Sequence, residues 1–385
     1  MKVISLKAKE VKDTRKEPTV EIKLATNLGE FSASAPNGKS RGEFEAQVWK
    51  KSLKGDIKAV NEYFIEDINI NSFDDLVLIE NAFNDRVGGN TMIALEYVFL
   101  KALAKQKNLE VWQLINPKAE KMPLPIGNII GGGKHSKKGN SSIQEFHIIP
   151  DSLNFARNVE IMRRAHENAG EILKNLNKDF RKEKNDENAW QTSLDDESII
   201  EIMQDLRDNM KDEFDSKIHI GIDVAASEFY KNGKYSYKRK QINRNEQIEY
   251  MKKLSKIFYY IEDPLEQNDF QGFSEVNKNS KSIITGDDLT ATNPDRLFKS
   301  IKTRSIKGII VKPNQVGSLL KVKEVISICK QNNIKTIFSH RSGETSEDII
   351  SDLAFGFEAD FVKFGTLGKG RDEKLNRLVE IEESL

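Results

Sequence analysis

Residues 308–312 read Gly308-Ile309-Ile310-Val311-Lys312: a short apolar run closed by an ionisable side chain, with Leu319, Val322, Val325 and Ile326 behind it. A short apolar run suits a strand buried on both faces. Apolar steps of three or four residues suit an amphipathic helix. The same unit returns on either side. Upstream, residues 282–285 precede Asp287, 259–261 precede Glu262, and 218–224 surround Asp223; downstream, 336–338 precede His340 and 360–362 precede Lys363. From Asp223 onward these polar residues lie 39, 25, 25, 28 and 23 positions apart. That is the cadence of repeated βα units, which share rhythm and not sequence. In a (β/α)8 barrel the C-terminal ends of the strands converge on one mouth, so all six side chains are expected to face a common site.

The N-terminal part has a different texture. Val20, Ile22 and Leu24 alternate, and Phe31 and Ala33 follow Asn27-Leu28-Gly29, which predicts a hairpin. Helical patterning follows, clearest from about residue 91 to 114, through Ala94, Val98, Ala102 and Trp112. Strands first and helices after predict a small α+β domain over 1–122, with the TIM-type barrel over 123–385. Phe155, Val159, Met162, Ala165, Ala169, Ile172 and Leu176 mark one long amphipathic helix early in the barrel. Residues 177–190 are polar and charge-dense and read as a loop.

Composition removes several classes. Sixty basic against sixty acidic residues leave a formal net charge of zero, without the footprint of a general nucleic-acid binder. No apolar run approaches the ~20 residues of a membrane helix. The opening stretch MKVISLKAKEVKDTRKE lacks the apolar centre of a signal peptide. A single cysteine, Cys329, excludes an internal disulfide and a cysteine zinc cluster. A cytoplasmic protein with a small-molecule substrate, no nucleic acid and no membrane span is expected.

The residue types allow definite chemistry. Asp223, Glu262 and Asp287 offer hard oxygen ligands on three strand ends, which suits Mg²⁺. Any one of them alone reads better as a loop cap or surface ion pair; three in step along consecutive strands favour the metal. Lys312 and Lys363 share the register; a lysine there becomes a base if a nearby cation lowers its pKa, and otherwise snorkels to solvent. Ser339-His340-Arg341-Ser342-Gly343-Glu344-Thr345 follows a strand and opens a helix, so that Arg341, Ser342 and backbone amides form a candidate phosphate site. Gly131-Gly132-Gly133 is a candidate for close backbone approach. Residues 365–370 fail as a phosphate loop, because Lys363 stands where the first glycine is required and Gly370 replaces Ser/Thr.

Four blocks then carry a resemblance: Ile222-Asp223-Val224-Ala225-Ala226-Ser227-Glu228-Phe229, Ile261-Glu262-Asp263-Pro264, Gly286-Asp287-Asp288-Leu289-Thr290, and Ser339 to Thr345. In this order they resemble the enolase (phosphopyruvate hydratase) family along nearly the whole chain. The resemblance implies reversible dehydration of 2-phospho-D-glycerate to phosphoenolpyruvate, a hydro-lyase step of glycolysis and gluconeogenesis, with two Mg²⁺ per active site. Asp223, Glu262 and Asp287 match the ligands of the tighter ion, and Ser40 matches the loop serine that ligates the second. Lys312 matches the base that removes the C2 proton, and Lys363 stands beside the resulting enediolate. Glu187 matches the acid that protonates the departing C3 hydroxyl, and Glu145, after Gln144, its partner carboxylate. His135 matches a mobile-loop histidine, Arg341 and Ser342 the phosphate grip, and His340 lies beside the substrate. A homodimer or larger homo-oligomer is implied as well.

The chain also departs from the family pattern. Asn188-Ala189 replaces Gly-Gly after the acid, which is expected to restrict that loop. Lys39 and Arg41 flank Ser40 where small or hydroxyl residues are usual. His135 to Glu145 is one residue longer than usual, and Arg15-Lys16-Glu17-Pro18-Thr19 lacks the Gly-Asn before Pro. These changes, with a short chain, mark a divergent member. They leave two alternatives: a lyase of the same superfamily for a related phosphonate or carboxylate, and a catalytically silent binding protein on the same fold.

Overall fold

The structure is a computed structural model that describes residues 1–39, 42–63, 68, 70–133, 141–178, 180–238 and 240–385. Strands β1 (Val3–Lys12), β2 (Pro18–Thr26) and β3 (Gly29–Ser34) form an antiparallel sheet in chain order. The expected hairpin is present as β2–β3, with Thr26 opposite Gly29 and Asn27-Leu28 making the turn. Val20, Ile22 and Leu24 are fully buried, and the helix Gly89–Lys107 packs across them. The helical run expected over 91–114 is interrupted. Asn108 adopts a left-handed backbone (φ 55°), and a short helix, Val111–Ile115, starts after it. Asn tolerates that conformation better than most residues, and it ends helices for this reason.

The barrel strands follow: β4 (Leu124–Pro125), β5 (Gly127–Gly131), β6 (Glu145–Asp151), β7 (Trp190–Gln191) and β8 (Lys217–Asp223). A small separate sheet holds β9 (Tyr230–Lys231), β10 (Lys234–Ser236) and β11 (Gln241–Asn243). Then come β12 (Tyr260–Glu262), β13 (Ile283–Gly286), β14 (Gly308–Val311), β15 (Lys335–Ser339) and β16 (Phe361–Lys363). The six runs read from the sequence are β8 and β12 to β16. The sheet order is β4-β16-β15-β14-β13-β12-β8-β6-β5-β7. One detail differs from an all-parallel barrel: β6 is antiparallel to both β5 and β8.

Period-2 alternation sorts the strand residues between two cores. Ile149, Tyr260, Ile283, Ile310, Ile337 and Phe361 face inward and meet Ile126 in one cluster, which requires the sheet to curl. Their chain neighbours Ile148, Ile261, Ile284, Ile309, Phe338 and Val362 face the surrounding helices. On four of these strands the same face reaches the mouth two residues beyond the inward apolar residue. There it presents Glu262 after Tyr260, Lys312 after Ile310, Ser339 after Ile337 and Lys363 after Phe361. β6 runs the other way, so its mouth residue is its first, Glu145, level with Asp223. The long helix is Phe155–Leu176, capped by Asn154, whose side chain accepts from the Arg157 amide. Among the described residues no helix is long and apolar enough to cross a membrane.

Candidate active site

One cleft at the strand C-termini is lined by Gln144, Glu145, Glu187, Asp223, Asp287, Lys312, His340, Arg341, Ser342 and Lys363, with Gly38 and Lys39 from the N-terminal part. Glu262 lies just beneath, fully buried. The cleft therefore gathers every described candidate for catalysis, substrate contact or metal ligation named above, with Glu262 at its floor. Ser40 and His135 lie outside the described residues, as does most of the lengthened stretch before Glu145.

Lys363 is the hub. Its Nζ lies 2.9 Å from Glu145 Oε2, 3.1 Å from Asp223 Oδ2 and 2.9 Å from Glu262 Oε2. Burial alone pushes a lysine pKa down, but these three carboxylates outweigh it and hold Lys363 well above its ordinary value. Glu262 is pushed up, first by burial and then by Asp223, although Lys363 opposes both. The Tyr260 hydroxyl donates to Glu262 Oε2 at 2.5 Å. His147 Nε2 lies 2.9 Å from Glu145 Oε2.

Lys312 pairs with Asp287 across neighbouring strands. Burial works against the Lys312 ammonium, yet Asp287 raises its pKa above the ordinary value. The same pairing keeps Asp287 low despite burial. Gln315 donates to the other Asp287 oxygen at 3.2 Å. Asp263 accepts from the Asp287 and Asp288 amides at 3.0 and 2.7 Å and so fixes that strand end. Burial and Asp287 push Asp288 up to about 7.

The donor chemistry fits a hard divalent cation. Asp223, Glu262 and Asp287 offer only carboxylate oxygens. The repulsion that raises Glu262 is what added positive charge would relieve. Asp263, Asp287 and Asp288 also bring one oxygen each within 4.8 Å of one another. Both Asp263 oxygens are already engaged by backbone amides, so that residue acts as a staple for the loop.

Glu187 sits on the polar 177–190 loop. Its amide donates to Asn185 Oδ1 at 2.9 Å, and its Oε2 accepts from Asn128 Nδ2 at 3.2 Å. His340 Nε2 is 3.7 Å away, and burial depresses His340 despite Glu187. Asn185 packs so closely on Gly131 that a Cβ there would lie 2.3 Å from its Nδ2, the close approach expected of that glycine run. At Asn188, where a restricted loop is expected, the residue takes the left-handed backbone (φ 63°) that the family's glycine would adopt without strain. Its Nδ2 donates to Leu367 O at 3.1 Å, and its carbonyl accepts from His166 Nε2 at 2.8 Å. Trp190 stacks on His166 and donates to its carbonyl. The loop is thus held by side chains where a glycine pair would leave it free.

Arg341 is gripped by Glu45, with Nη1 and Nη2 each 3.0 Å from Oε2. Asn314 Oδ1 accepts a further bond from Nη1 at 3.2 Å. Sequence reasoning missed Glu45, Gln315, Asn314, His147 and Tyr260. Proximity was the available signal: Glu45 follows the Ser40 loop closely, and Asn314-Gln315 continues directly from Lys312.

Residues 119–385 match the family described as the enolase C-terminal TIM barrel domain. The chain is 36% identical to the enolase of Thermoplasma acidophilum, over 99% of this chain and 98% of that protein. It is 35% identical to the Archaeoglobus fulgidus enolase, over 96% and 94% of the two chains. Similarity to the Sulfolobus acidocaldarius enolase is 35% over 99% and 95%.

Proposed function

The chain belongs to the enolase family, and from that premise we propose how its residues divide the work of dehydrating 2-phospho-D-glycerate to phosphoenolpyruvate. The protein is a hydro-lyase acting on a small molecule. Family membership favours this reaction over the two alternatives raised by the divergent loops.

Lys312 takes the C2 proton. Glu187 returns a proton to the departing C3 hydroxyl, with Glu145 as its partner carboxylate. Gln144 and His340 line the cleft and would contact the substrate, and the family resemblance assigns the same task to His135. The Lys363 ammonium faces the charge that builds on the substrate carboxylate. Arg341 and Ser342 hold the phosphate, with Arg341 exchanging Glu45 for it. Asp223, Glu262 and Asp287 would hold one Mg²⁺, and Ser40 would contribute to a second. When bound, such ions would supply positive charge at the substrate carboxylate, while Asp287, which would be one of their ligands, is the group that pairs with the Lys312 ammonium.

One observation carries this division: Lys312 on a strand end and Glu187 on a separate loop line the same cleft, with the carboxylate–lysine cluster alongside. The domain division at 122/123 is supported by the antiparallel sheet that precedes β4. Homodimer or larger assembly and cytoplasmic location follow from the family resemblance. The deciding experiment supplies purified protein with Mg²⁺ and 2-phosphoglycerate and follows the ultraviolet rise of phosphoenolpyruvate. Turnover abolished by a chelator and restored by Mg²⁺ is expected. No rise at all would overturn the reading.

A further inference from the structure

The unusual residue before the Ser40 loop has a partner. Lys39 Nζ lies 3.1 Å from Asp186 Oδ2, and Asp186 immediately precedes Glu187. At the other end of the same residue, the Lys39 amide donates to Ser342 Oγ at 2.8 Å. Its neighbour Gly38 rests on Arg341 so closely that a Cβ there would lie 2.0 Å from Nη2. One residue thus touches the phosphate-gripping segment through its backbone and the acid-bearing loop through its side chain.

We propose that Lys39 is a positioning residue for this reaction: its ion pair with Asp186 ties the segment seated on Arg341 and Ser342 to the loop that places Glu187. The proposal rests on the functional reading above. Both side chains are 47% exposed, so the pair satisfies no buried charge and adds little to stability. Its effect lies in geometry. A proton donor displaced by a fraction of an ångström loses rate without losing substrate affinity. In the family pattern this position carries a small or hydroxyl residue, which offers no such reach. Asn188, through its bonds to Leu367 and His166, holds the same acid-bearing loop from its other side.

The test measures kcat and KM for 2-phosphoglycerate with saturating Mg²⁺. The proteins are the parent, Lys39→Ala, Asp186→Asn, the double variant and the swapped pair Lys39→Asp with Asp186→Lys. Each single variant is expected to lower kcat about two- to fivefold, the range an exposed pair supports, with KM nearly unchanged. The double variant should be no slower than either single one, and the swap should recover most of the loss. High salt should bring the parent kcat toward that of the variants and leave the variants flat. Multiplicative losses, or a rise in KM confined to Lys39→Ala, would overturn the proposal; the latter assigns Lys39 to direct contact with the anion. A parent that turns over no 2-phosphoglycerate overturns the functional reading instead.

Discussion

Lys312 and Glu187 divide the two proton transfers between them, and single substitutions separate the steps. Lys312→Ala should lower turnover by about 10²–10⁴-fold. Glu187→Gln should also stop dehydration while leaving the base intact. In deuterated buffer it is expected to exchange the C2 hydrogen of 2-phosphoglycerate, visible by proton NMR, whereas Lys312→Ala is not. Exchange in both variants, or in neither, contradicts the assignment of the base. Lys363 calls for a different measurement. Lys363→Met leaves Glu145, Asp223 and Glu262 without their shared cation, so urea denaturation without Mg²⁺ should show a loss of about 3–5 kcal/mol. At this scale the sequence was most informative where one strand end carries one ionisable residue, as with Asp223, Glu262 and Lys312. It was silent on Glu45, His147 and Tyr260, whose roles exist only once distant segments meet: Glu45 on Arg341, His147 behind Glu145, Tyr260 beneath Glu262.

Two turns show how elements absorb the chain's departures from its family. Lys16 stands in the tight connection between β1 and β2 with a left-handed backbone (φ 67°), and Asn188 does the same in the acid loop (φ 63°). Both occupy places where the family pattern has glycine, so the backbone path is retained and the side chain bears the strain. Lysine has no side-chain bond that favours this conformation, which costs an ordinary residue about 1–2 kcal/mol. Lys16→Gly should therefore stabilise the protein by about 1 kcal/mol in urea denaturation, after the entropy that glycine loses on folding. Asn188→Gly should gain nothing, because it also deletes the bond to Leu367 O. Equal gains at both turns would contradict this account. Element boundaries were legible for β8 and β12–β16 because each buried strand is a bare apolar run. Strand direction was not legible: Glu145 starts β6 because β6 runs backward, and apolar periodicity reads the same both ways. The break at Asn108 escaped for a related reason, since the apolar pattern continues across it.

Across the whole molecule, charge balance concealed the site. The chain is neutral overall, yet its mouth sets Glu45, Glu145, Glu187, Asp223, Asp287 and Asp288, with Glu262 beneath, against Lys39, Lys312, Arg341 and Lys363. Acid sensitivity should centre on a different group. His166, 2% exposed, is pushed down to about 4 by burial, assisted by Lys184 and opposed by its bond to the Asn188 carbonyl. The unfolded chain takes up this proton as pH falls through about 6.5, and the folded protein resists until about 4. Stability should accordingly fall by as much as about 3 kcal/mol across that window, and be fully present above it. Urea denaturation at pH 7 and pH 4.5 should show a smaller difference in His166→Gln than in the parent.

The hub lysine also has a consequence for synthesis. β16, which carries it, is the last strand of the sheet to leave the ribosome, and it pairs on its other edge with β4, the first barrel strand. Until then β6, β8 and β12 present three carboxylates to one another across an unclosed sheet. The cation that pairs with the carboxylates of β6, β8 and β12 is thus carried by the strand of the sheet that is synthesised last, so a chain shortened before β16 would keep Glu145, Asp223 and Glu262 without it.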